Sequence, residues 1–210
     1  MSVYNQSGDI DVTLKDDNSP LTEADRLAHQ LIVAELQELT PDIPILSEES
    51  AETSVQQRMD WSQFWIVDPL DGTKEFIKRN GEFTVNIALI TNGVPELGIV
   101  HVPVCGMNYL GQVGAGAWKV NPEGEFKEIS APRFSLGQSV VRVVASRSHR
   151  GELVDKLIAA MESELGPTEV VSMGSSLKIC LLAEGKADIY PRLAPTSEWD
   201  TAAAHAVLSA

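Results

Sequence analysis

Apolar positions near the start of the chain recur with the period of a helix. From Thr22 to about Leu39, apolar side chains are spaced by three and four residues, which predicts an amphipathic helix. Thr22 and Asp25 stand three residues apart at its predicted first turn, as a capping box requires. A short buried strand is expected at 43–46, and the polar stretch at 51–62 favours a loop or a short helix.

The middle and the end of the chain follow two further patterns. From Phe64 onwards, short apolar runs alternate with turns, which predicts a meander of antiparallel strands. Strands are predicted at 64–67, 83–90, 96–104, 107–113, 117–120, 140–145, 169–171 and 187–190, and later helices at 152–165, at 176–184 and from 201 to the end. We therefore expect a layered α/β (α+β) fold with a soft boundary between an N-terminal half, 1–135, and a C-terminal half, 136–210.

Charge narrows the classes of ligand. The 210 residues include 30 acidic and 16 basic side chains, so the formal net charge is −14. Such a surface repels phosphate backbones and anionic membranes, which argues against a nucleic-acid polymer as partner. A small anionic ligand stays compatible with it if a divalent metal reverses the local charge.

Other features of composition favour a soluble cytoplasmic protein. Cys105 and Cys180 show no zinc-type or disulfide-type spacing. The first residues have neither the basic nor the apolar region of a secretory signal. No apolar run approaches the ~20 residues that a membrane span needs.

The strongest chemical signal follows the first predicted strand of the meander. Asp68 and Asp71, with the Leu70 carbonyl between them, form an all-oxygen set of the kind that Mg²⁺ binds. Gly72 lets the backbone approach a ligand, and its amide and that of Thr73 can open a short, phosphate-binding helix. Metal and phosphate would then lie side by side, as in metal-assisted phosphoryl transfer. Considered alone, the segment has an ordinary turn as its alternative interpretation.

Other acidic positions add weight to the metal interpretation. Glu48 and Glu49 also follow a short apolar strand, although a solvated turn would explain the pair. Asp200 precedes an alanine-rich helix, where an N-cap is the simplest role. Asp25 is already explained by the capping box. Only the four segments together distinguish a site from four ordinary loops.

In order and spacing these segments resemble the inositol monophosphatase family of Mg²⁺-dependent, lithium-sensitive phosphatases. The matching segments are 15–25, 46–49, 68–73 and 199–203. The resemblance implies an αβαβα sandwich and a chain shortened at both ends, with its C-terminal part incomplete. Residues 68–90, with Lys74-Glu75-Phe76 among them, and residues 174–178 resemble the 3'(2'),5'-bisphosphate nucleotidase branch. For that branch the implied substrate is adenosine 3',5'-bisphosphate, cleaved to AMP and phosphate.

The resemblance also implies a role for each matched residue. The Mg²⁺ ligands would be Glu48, Asp68, the Leu70 carbonyl, Asp71 and Asp200. Thr73 with Asp25, or Glu48, would orient and deprotonate the attacking water. Substrate contacts would come from Glu48, Leu70, Asp71, Gly72, Thr73, Ser175, Ser176, Lys178, Arg192 and Asp200. For Lys178 and Arg192, surface residues with snorkelling side chains are the alternative. His29 is expected at the surface, and His101, His149 and His205 fit no catalytic spacing.

Three hypotheses stay open from the sequence. The favoured one is a Mg²⁺-dependent 3'-phosphatase of adenosine bisphosphate, extending to its sulfated relative PAPS and to sulfate assimilation. An inositol or sugar monophosphatase would use the same machinery. A non-catalytic fragment that binds metal and phosphate is the third. The expected partner is a small nucleotide, peripheral association with the cytoplasmic face of the inner membrane is compatible with the resemblance, and the oligomeric state is left open.

Overall fold

The computed structural model describes residues 1–8, 10–15, 19–50, 54–135, 137, 139–146 and 151–210. Its strands are β1 (Val12–Leu14), β2 (Pro20–Thr22), β3 (Ile45–Ser47), β4 (Gln63–Asp71), β5 (Thr84–Thr91), β6 (Val94–Val102), β7 (Met107–Gln112), β8 (Gly116–Val120), β9 (Phe126–Ile129), β10 (Val141–Ser146) and β11 (Thr168–Met173). Its helices are α1 (Glu23–Leu39), α2 (Val55–Met59), α3 (Thr73–Ile77), α4 (Glu152–Leu165), α5 (Leu177–Ala183) and α6 (Ala202–Ser209).

The main sheet contains seven strands, β3 to β9, which are neighbours in space in the order of the chain. β3 pairs with β4 in parallel, and every later pair is antiparallel, so the predicted meander is confirmed. β5 illustrates why the strands could be predicted, because its side chains alternate between buried and half-buried positions. β9 was not predicted, since Phe126 is 65% exposed and two charged residues follow it.

A second, two-stranded sheet pairs β10 with β11 in parallel, and α4 connects them. Ile158 of α4 packs against Val141 and Val143 of β10. The strand predicted at 187–190 is wrong, because only Ile189 forms an isolated bridge there. The Asp188 carboxylate accepts the Arg142 N–H at 2.7 Å, which turns the chain toward β10 without extending the pairing.

Helix α6 packs on a part of the main sheet that carries no side chains. Gly98 of β6 and Gly111 of β7 lie directly opposite each other in the register. A Cβ at Gly98 would lie 2.1 Å from the Ala203 carbonyl oxygen, and one at Gly111 would lie 2.4 Å from the Cα of Val207. The backbones of the helix and the sheet are therefore in direct contact, and this contact sets the position of the chain that enters α6.

Helix α1 begins where the capping box predicted. Thr22 is its N-cap, and the reciprocal bonds between Thr22 and Asp25 are both present. The predicted buried face is wrong in part, because Leu36 is buried whereas Leu27 and Leu31 are 47% and 64% exposed. The helix contacts β3 and β4, at one edge of the sheet, so the sheet buries only some of the apolar side chains of α1.

The two predicted halves share packing. Cys180 and Ala183 of α5 and three alanines of α6 belong to the same buried cluster as the central strands of the main sheet. The boundary between residues 135 and 136 stays a prediction. Within the described ranges, no helix is both long and apolar enough to cross a membrane. In the polar stretch at 51–62 a short helix forms, α2, and residues 51–53 lie outside the described part.

Candidate active site

Strand β4 carries two of the acidic residues and continues further than predicted. The expectation that the strand ends before Asp68 is wrong, because β4 extends to Asp71. Its register against β5 shifts between these two residues. Residues three apart on a regular strand point to opposite faces, so the shift brings both carboxylates to one cavity. Pro69, which has no N–H to donate, lies inside this irregularity.

Asp200 completes a cluster of three carboxylates. Single oxygens of Asp68, Asp71 and Asp200 lie within 4.8 Å of one another. The Asp200 Oδ2 accepts the Ser197 N–H at 2.9 Å and the Thr196 hydroxyl at 2.7 Å, so the loop before α6 holds it. The interpretation of Asp200 as a helix cap is wrong, since the N-cap of α6 is Thr201.

Burial and the neighbouring negative charges favour the protonated forms of Asp68 and Asp71, which raises the pKa of each. Burial raises the pKa of Asp68 well above its usual range, and the charges of Asp71, Glu48 and Asp200 raise it further. Burial raises the pKa of Asp71 to about 7, with Asp200 adding to this effect and Lys178 opposing it. Converging carboxylates that raise one another's pKa are a donor set that a hard divalent cation fits, because it supplies the missing positive charge.

Glu48 lines the same cavity and is paired with a lysine. Lys15 Nζ donates to the Glu48 carboxylate at 2.7 Å and to that of Glu49 at 2.5 Å. Burial raises the pKa of Glu48, and Lys15 opposes that shift. Its carboxylate is not one of the three in the cluster, so the role of Glu48 as a metal ligand stays a prediction.

The turn after β4 supplies backbone N–H groups and a hydroxyl. Gly72 precedes α3 with a φ of 91°, in the left-handed region that favours glycine, and a Cβ there would lie 3.1 Å from the Glu82 carbonyl oxygen. The Thr73 hydroxyl lies 3.3 Å from the Leu70 carbonyl oxygen and 3.4 Å from Asp25 Oδ1. This hydroxyl therefore connects the turn to the start of α1.

The two carboxylate oxygens of Asp25 have different partners in the structure. Asp25 is 2% exposed, and its Oδ2 accepts the Thr22 N–H at 2.7 Å, which is the capping role. Its other oxygen faces Thr73. Burial raises the pKa of Asp25, while the hydrogen bonds from Thr22 lower it. The capping interpretation and the catalytic prediction thus describe different oxygens of one carboxylate.

Three basic residues, Lys74, Lys178 and Arg192, line the same cavity as the acids. Lys178 is 7% exposed, its Nζ donates to the Ser175 carbonyl, and the Nζ lies 5.7 Å from the ring centre of Tyr190. Burial lowers the pKa of Lys178, and the charge of Asp71 counteracts it. The surface alternative is therefore wrong for Lys178. Arg192 is half-buried and donates to the Pro195 carbonyl at 2.8 Å, and its Nε has no hydrogen-bond partner among the described residues.

Asn86 belongs to the site, although the sequence analysis did not identify it. Its side-chain amide donates to Asp71 Oδ2 at 3.4 Å and accepts the Ser176 hydroxyl at 2.8 Å. Thr84 bonds the same hydroxyl at 2.9 Å. Ser176 thus helps to hold Asp71, and the substrate contact expected of it stays a prediction. Thr84 and Asn86 are polar residues at alternate, buried positions of a mostly apolar strand, and this pattern in the sequence could have indicated that they belong to the site.

Most residues that the resemblance singled out meet in one cavity of about 220 Å³. Those lining it are Glu48, Asp68, Leu70, Asp71, Gly72, Thr73, Ser175, Ser176, Lys178, Arg192 and Asp200. Asp25 joins them through Thr73. Glu75 and Tyr190 line the cavity without having been predicted. His29, expected at the surface, is half-buried and bonds the Ser47 hydroxyl at 2.9 Å, and residues 16–18 and His149 lie outside the described part.

Comparison with known proteins gives one consistent family. The model of the inositol monophosphatase family matches residues 1–210. The 3'(2'),5'-bisphosphate nucleotidase CysQ of Escherichia coli (strain K12) is 48% identical over 214 aligned residues, which cover 100% of this chain and 81% of the relative. The protein of the same name from Salmonella typhimurium (strain LT2) is 46% identical, over 99% of this chain and 80% of the relative. The crystal structure of CysQ from Bacteroides thetaiotaomicron superposes with a TM-score of 0.83 at 47% identity, over 98% of this chain and 78% of that one.

Proposed function

Because the chain belongs to the inositol monophosphatase family, whose members are phosphatases, we propose that it hydrolyses the 3'-phosphate of adenosine 3',5'-bisphosphate with the help of Mg²⁺. The products would be AMP and phosphate. The observation that carries the proposal is one cavity in which three converging carboxylates lie with Lys178 and Arg192. The names of the relatives at 46% and 48% identity support a nucleotide substrate. On the same resemblance the proposal extends to PAPS and to sulfate assimilation.

The carboxylates of Asp68, Asp71 and Asp200 would hold the metal, with Glu48 and the Leu70 carbonyl as further oxygen donors. Bound Mg²⁺ would lower the pKa of the attacking water and would neutralise the negative charge that develops on the leaving oxygen. Without a cation, the three carboxylates would repel a phosphate ester. The charge of the cluster is therefore the physical reason to expect a metal requirement.

Thr73 and Asp25 would orient the attacking water and take its proton. The Thr73 hydroxyl lies 3.4 Å from Asp25 Oδ1, so a water bonded to Thr73 would have the carboxylate as its proton acceptor. The raised pKa of Asp25 makes it a better base than an exposed aspartate. The N–H groups of Gly72 and Thr73 would bind phosphoryl oxygens. Because α3 has only five residues, we assign this contact to those N–H groups and not to a helix dipole.

Lys178 and Arg192 favour a substrate with a second phosphate. An inositol or sugar monophosphatase, the second candidate, would use the same carboxylates on a substrate with one phosphate. A retained 5'-phosphate would pair with basic side chains that line the cavity, Lys178 and Arg192 besides Lys74, whereas a substrate with one phosphate would bring no second anionic group to them. The ratio of kcat/KM for adenosine bisphosphate to that for inositol monophosphate separates the two functions.

The test is phosphate release from adenosine 3',5'-bisphosphate with and without Mg²⁺. Asp68→Asn removes one charge from the cluster with almost no change in shape, and we expect the rate to fall at least about a hundredfold. Asp42→Asn, at an exposed turn before β3, is the matched control and should keep full activity. Release that needs no metal, or a fully active Asp68→Asn protein, would show that the proposal is wrong.

A further inference from the structure

Two segments of the chain form neighbouring parts of the cavity wall, and both lie against Glu82. The turn at Gly72 and the segment 174–176 line the cavity, whereas Glu82 stands between α3 and β5. A Cβ at Gly72 would lie 3.1 Å from the Glu82 carbonyl oxygen, and one at Gly174 would lie 2.7 Å from the same atom. The backbone of Glu82 is therefore in close contact with both segments, at positions where glycine leaves room for it.

The side chain of Glu82 makes a further contact with the second of these segments. Its Oε2 accepts the Gly174 N–H at 2.8 Å, across 92 positions of the chain. A carboxylate is a strong acceptor for a backbone N–H, because charge-assisted hydrogen bonds are stronger than neutral ones. Glu82 is half-buried, and its own N–H donates to the Asn80 side-chain oxygen at 3.0 Å. The turn before β5 thus holds the chain that leads into α5.

Ser175, the residue after this contact, has a backbone conformation that favours glycine. Its φ is 46°, in the left-handed region, and a side chain persists there only where its surroundings fix it. Two hydrogen bonds flank the residue, one from the Gly174 N–H to Glu82 and one from Lys178 Nζ to the Ser175 carbonyl. A Cβ at Gly72 would lie 3.4 Å from the Ser175 Cβ. The conformation of Ser175 therefore determines how its side chain lies against the turn at Gly72.

We propose that Glu82 is a positioning residue that fixes Ser175 against the turn at Gly72 and so shapes the part of the cavity that receives the phosphate ester. The inference rests on the proposed function, because it assigns the ester to this part of the cavity. Glu82 does not belong to the described residues that line the cavity, so it would act through Gly174 and Ser175 and not by contact with the substrate.

The contacts of the next residue predict which property depends on Glu82. Ser176 donates to Asn86 at 2.8 Å, and Asn86 donates to Asp71 at 3.4 Å, so these bonds do not involve Glu82. Loss of the Glu82 acceptor should free Ser175, whereas the carboxylate cluster should keep its place. The KM for the substrate should thus rise, and the Mg²⁺ requirement should stay the same.

The test compares three substitutions of Glu82. Glu82→Ala removes the acceptor, and we expect the KM for adenosine 3',5'-bisphosphate to rise about tenfold, with the same Mg²⁺ concentration at half-maximal rate. Glu82→Gln keeps an acceptor oxygen at the same distance from the backbone and should restore the KM of the unchanged protein. Glu82→Asp withdraws the acceptor by one methylene group and should also raise KM, so the test does not depend on the folding of Glu82→Ala. Glu123→Ala, at an exposed glutamate between β8 and β9, is the matched control and should change neither value.

Hydrogen exchange at Gly174 measures the contact without catalysis. Its amide should exchange faster in Glu82→Ala than in the unchanged protein, and Glu82→Gln should restore its protection. An unchanged KM in Glu82→Ala and Glu82→Asp, or a Glu82→Gln protein as impaired as Glu82→Ala, would overturn the inference while phosphate release upholds the proposed function. An unchanged protein that releases no phosphate would contradict the proposed function, and faster exchange in Glu82→Ala would then still support the hold of Glu82 on the segment.

Discussion

Replacing Gly98 by alanine should push α6 away from the main sheet. The new Cβ would lie 2.1 Å from the Ala203 carbonyl oxygen and 2.8 Å from the Ala206 Cβ. Unstrained contacts between heavy atoms are about 3.5 Å, so the helix would have to retreat by roughly 1 Å. A backbone carbonyl and an alanine methyl group have no rotamer into which they could move. The backbone of the helix must therefore absorb the change.

Two effects set the size of the response. Overpacking of a core contact costs about 1–3 kcal/mol of unfolding free energy. Asp200 lies two residues before α6 and would move with it, which would change its distances to the two aspartates of β4, whose oxygens now lie within 4.8 Å of its own. A displacement of about 1 Å at a reacting site can cost ~10²-fold in rate. Mg²⁺ also demands near-ideal ligand geometry, so its affinity should fall together with the rate.

Urea unfolding and Mg²⁺-dependent phosphate release measure these two effects separately. Gly93→Ala is the matched control, because Gly93 has a φ of 78° in the turn between β5 and β6 and open space around its Cβ position. Alanine in that conformation costs about 1 kcal/mol of unfolding free energy, far from α6. We expect both variants to unfold at lower urea concentrations, and only Gly98→Ala to need more Mg²⁺ for half-maximal activity.

Three results would contradict the role of the contact between α6 and Gly98. Unfolding of Gly98→Ala at the urea concentration of the unchanged protein would mean that α6 does not lie against Gly98 as described. A destabilised Gly98→Ala protein with an unchanged Mg²⁺ requirement would mean that α6 does not position Asp200. A Gly93→Ala protein with the same Mg²⁺ defect would attribute the loss to stability in general.

Two further predictions concern charge. Hydrogen bonds from Lys186, Tyr109 and Lys119 outweigh the effect of burial and hold the pKa of Glu184 below its ordinary value of 4.5. The resulting stabilisation is complete above the unfolded-state pKa and is lost as the pH falls through the folded-state pKa. Glu184→Gln should thus lower the urea midpoint at about pH 7 and approach the unchanged protein at about pH 3, and a constant difference would contradict this. At a hundred times its Kd, Mg²⁺ should stabilise the unchanged protein against thermal unfolding by about 2.7 kcal/mol, and it should not stabilise Asp68→Asn. Equal shifts of the melting temperature in both proteins would place Mg²⁺ binding elsewhere.

Elements with strong local signals could be predicted from the sequence. The helix expected at 152–165 coincides with α4, because an amphipathic run ends there at Gly166. β9 could not be predicted, since its exposed and charged residues form a strand only against the edge of β8. The strand expected at 187–190 failed for the opposite reason. Its apolar residues suit a strand, but the Asp188 side chain pairs with Arg142, and Ile189 forms an isolated bridge to β10.

The motifs predicted which residues belong to the candidate site, but they did not predict how these residues are arranged. Pro69 is a local sign that the strand is irregular, but the register shift that brings Asp68 and Asp71 to one cavity depends on pairing with β5. The contact between Lys15 and Glu48 joins residues 33 positions apart. Tyr190 enters the site through the packing of the chain around Lys178. Long-range contacts of this kind leave no periodicity in the sequence.

The two oxygens of the Asp25 carboxylate have different partners, and this connects the stability of a helix end to the proposed reaction. One oxygen holds the first turn of α1, and the other faces the Thr73 hydroxyl. An asparagine would supply one acceptor oxygen for these two tasks, and a glutamate would carry both oxygens one methylene too far from the helix. Fraying of that first turn would also withdraw the proton acceptor from Thr73. In the proposed reaction, the dynamics of a helix end would thus set the fraction of molecules that are competent to react at any moment.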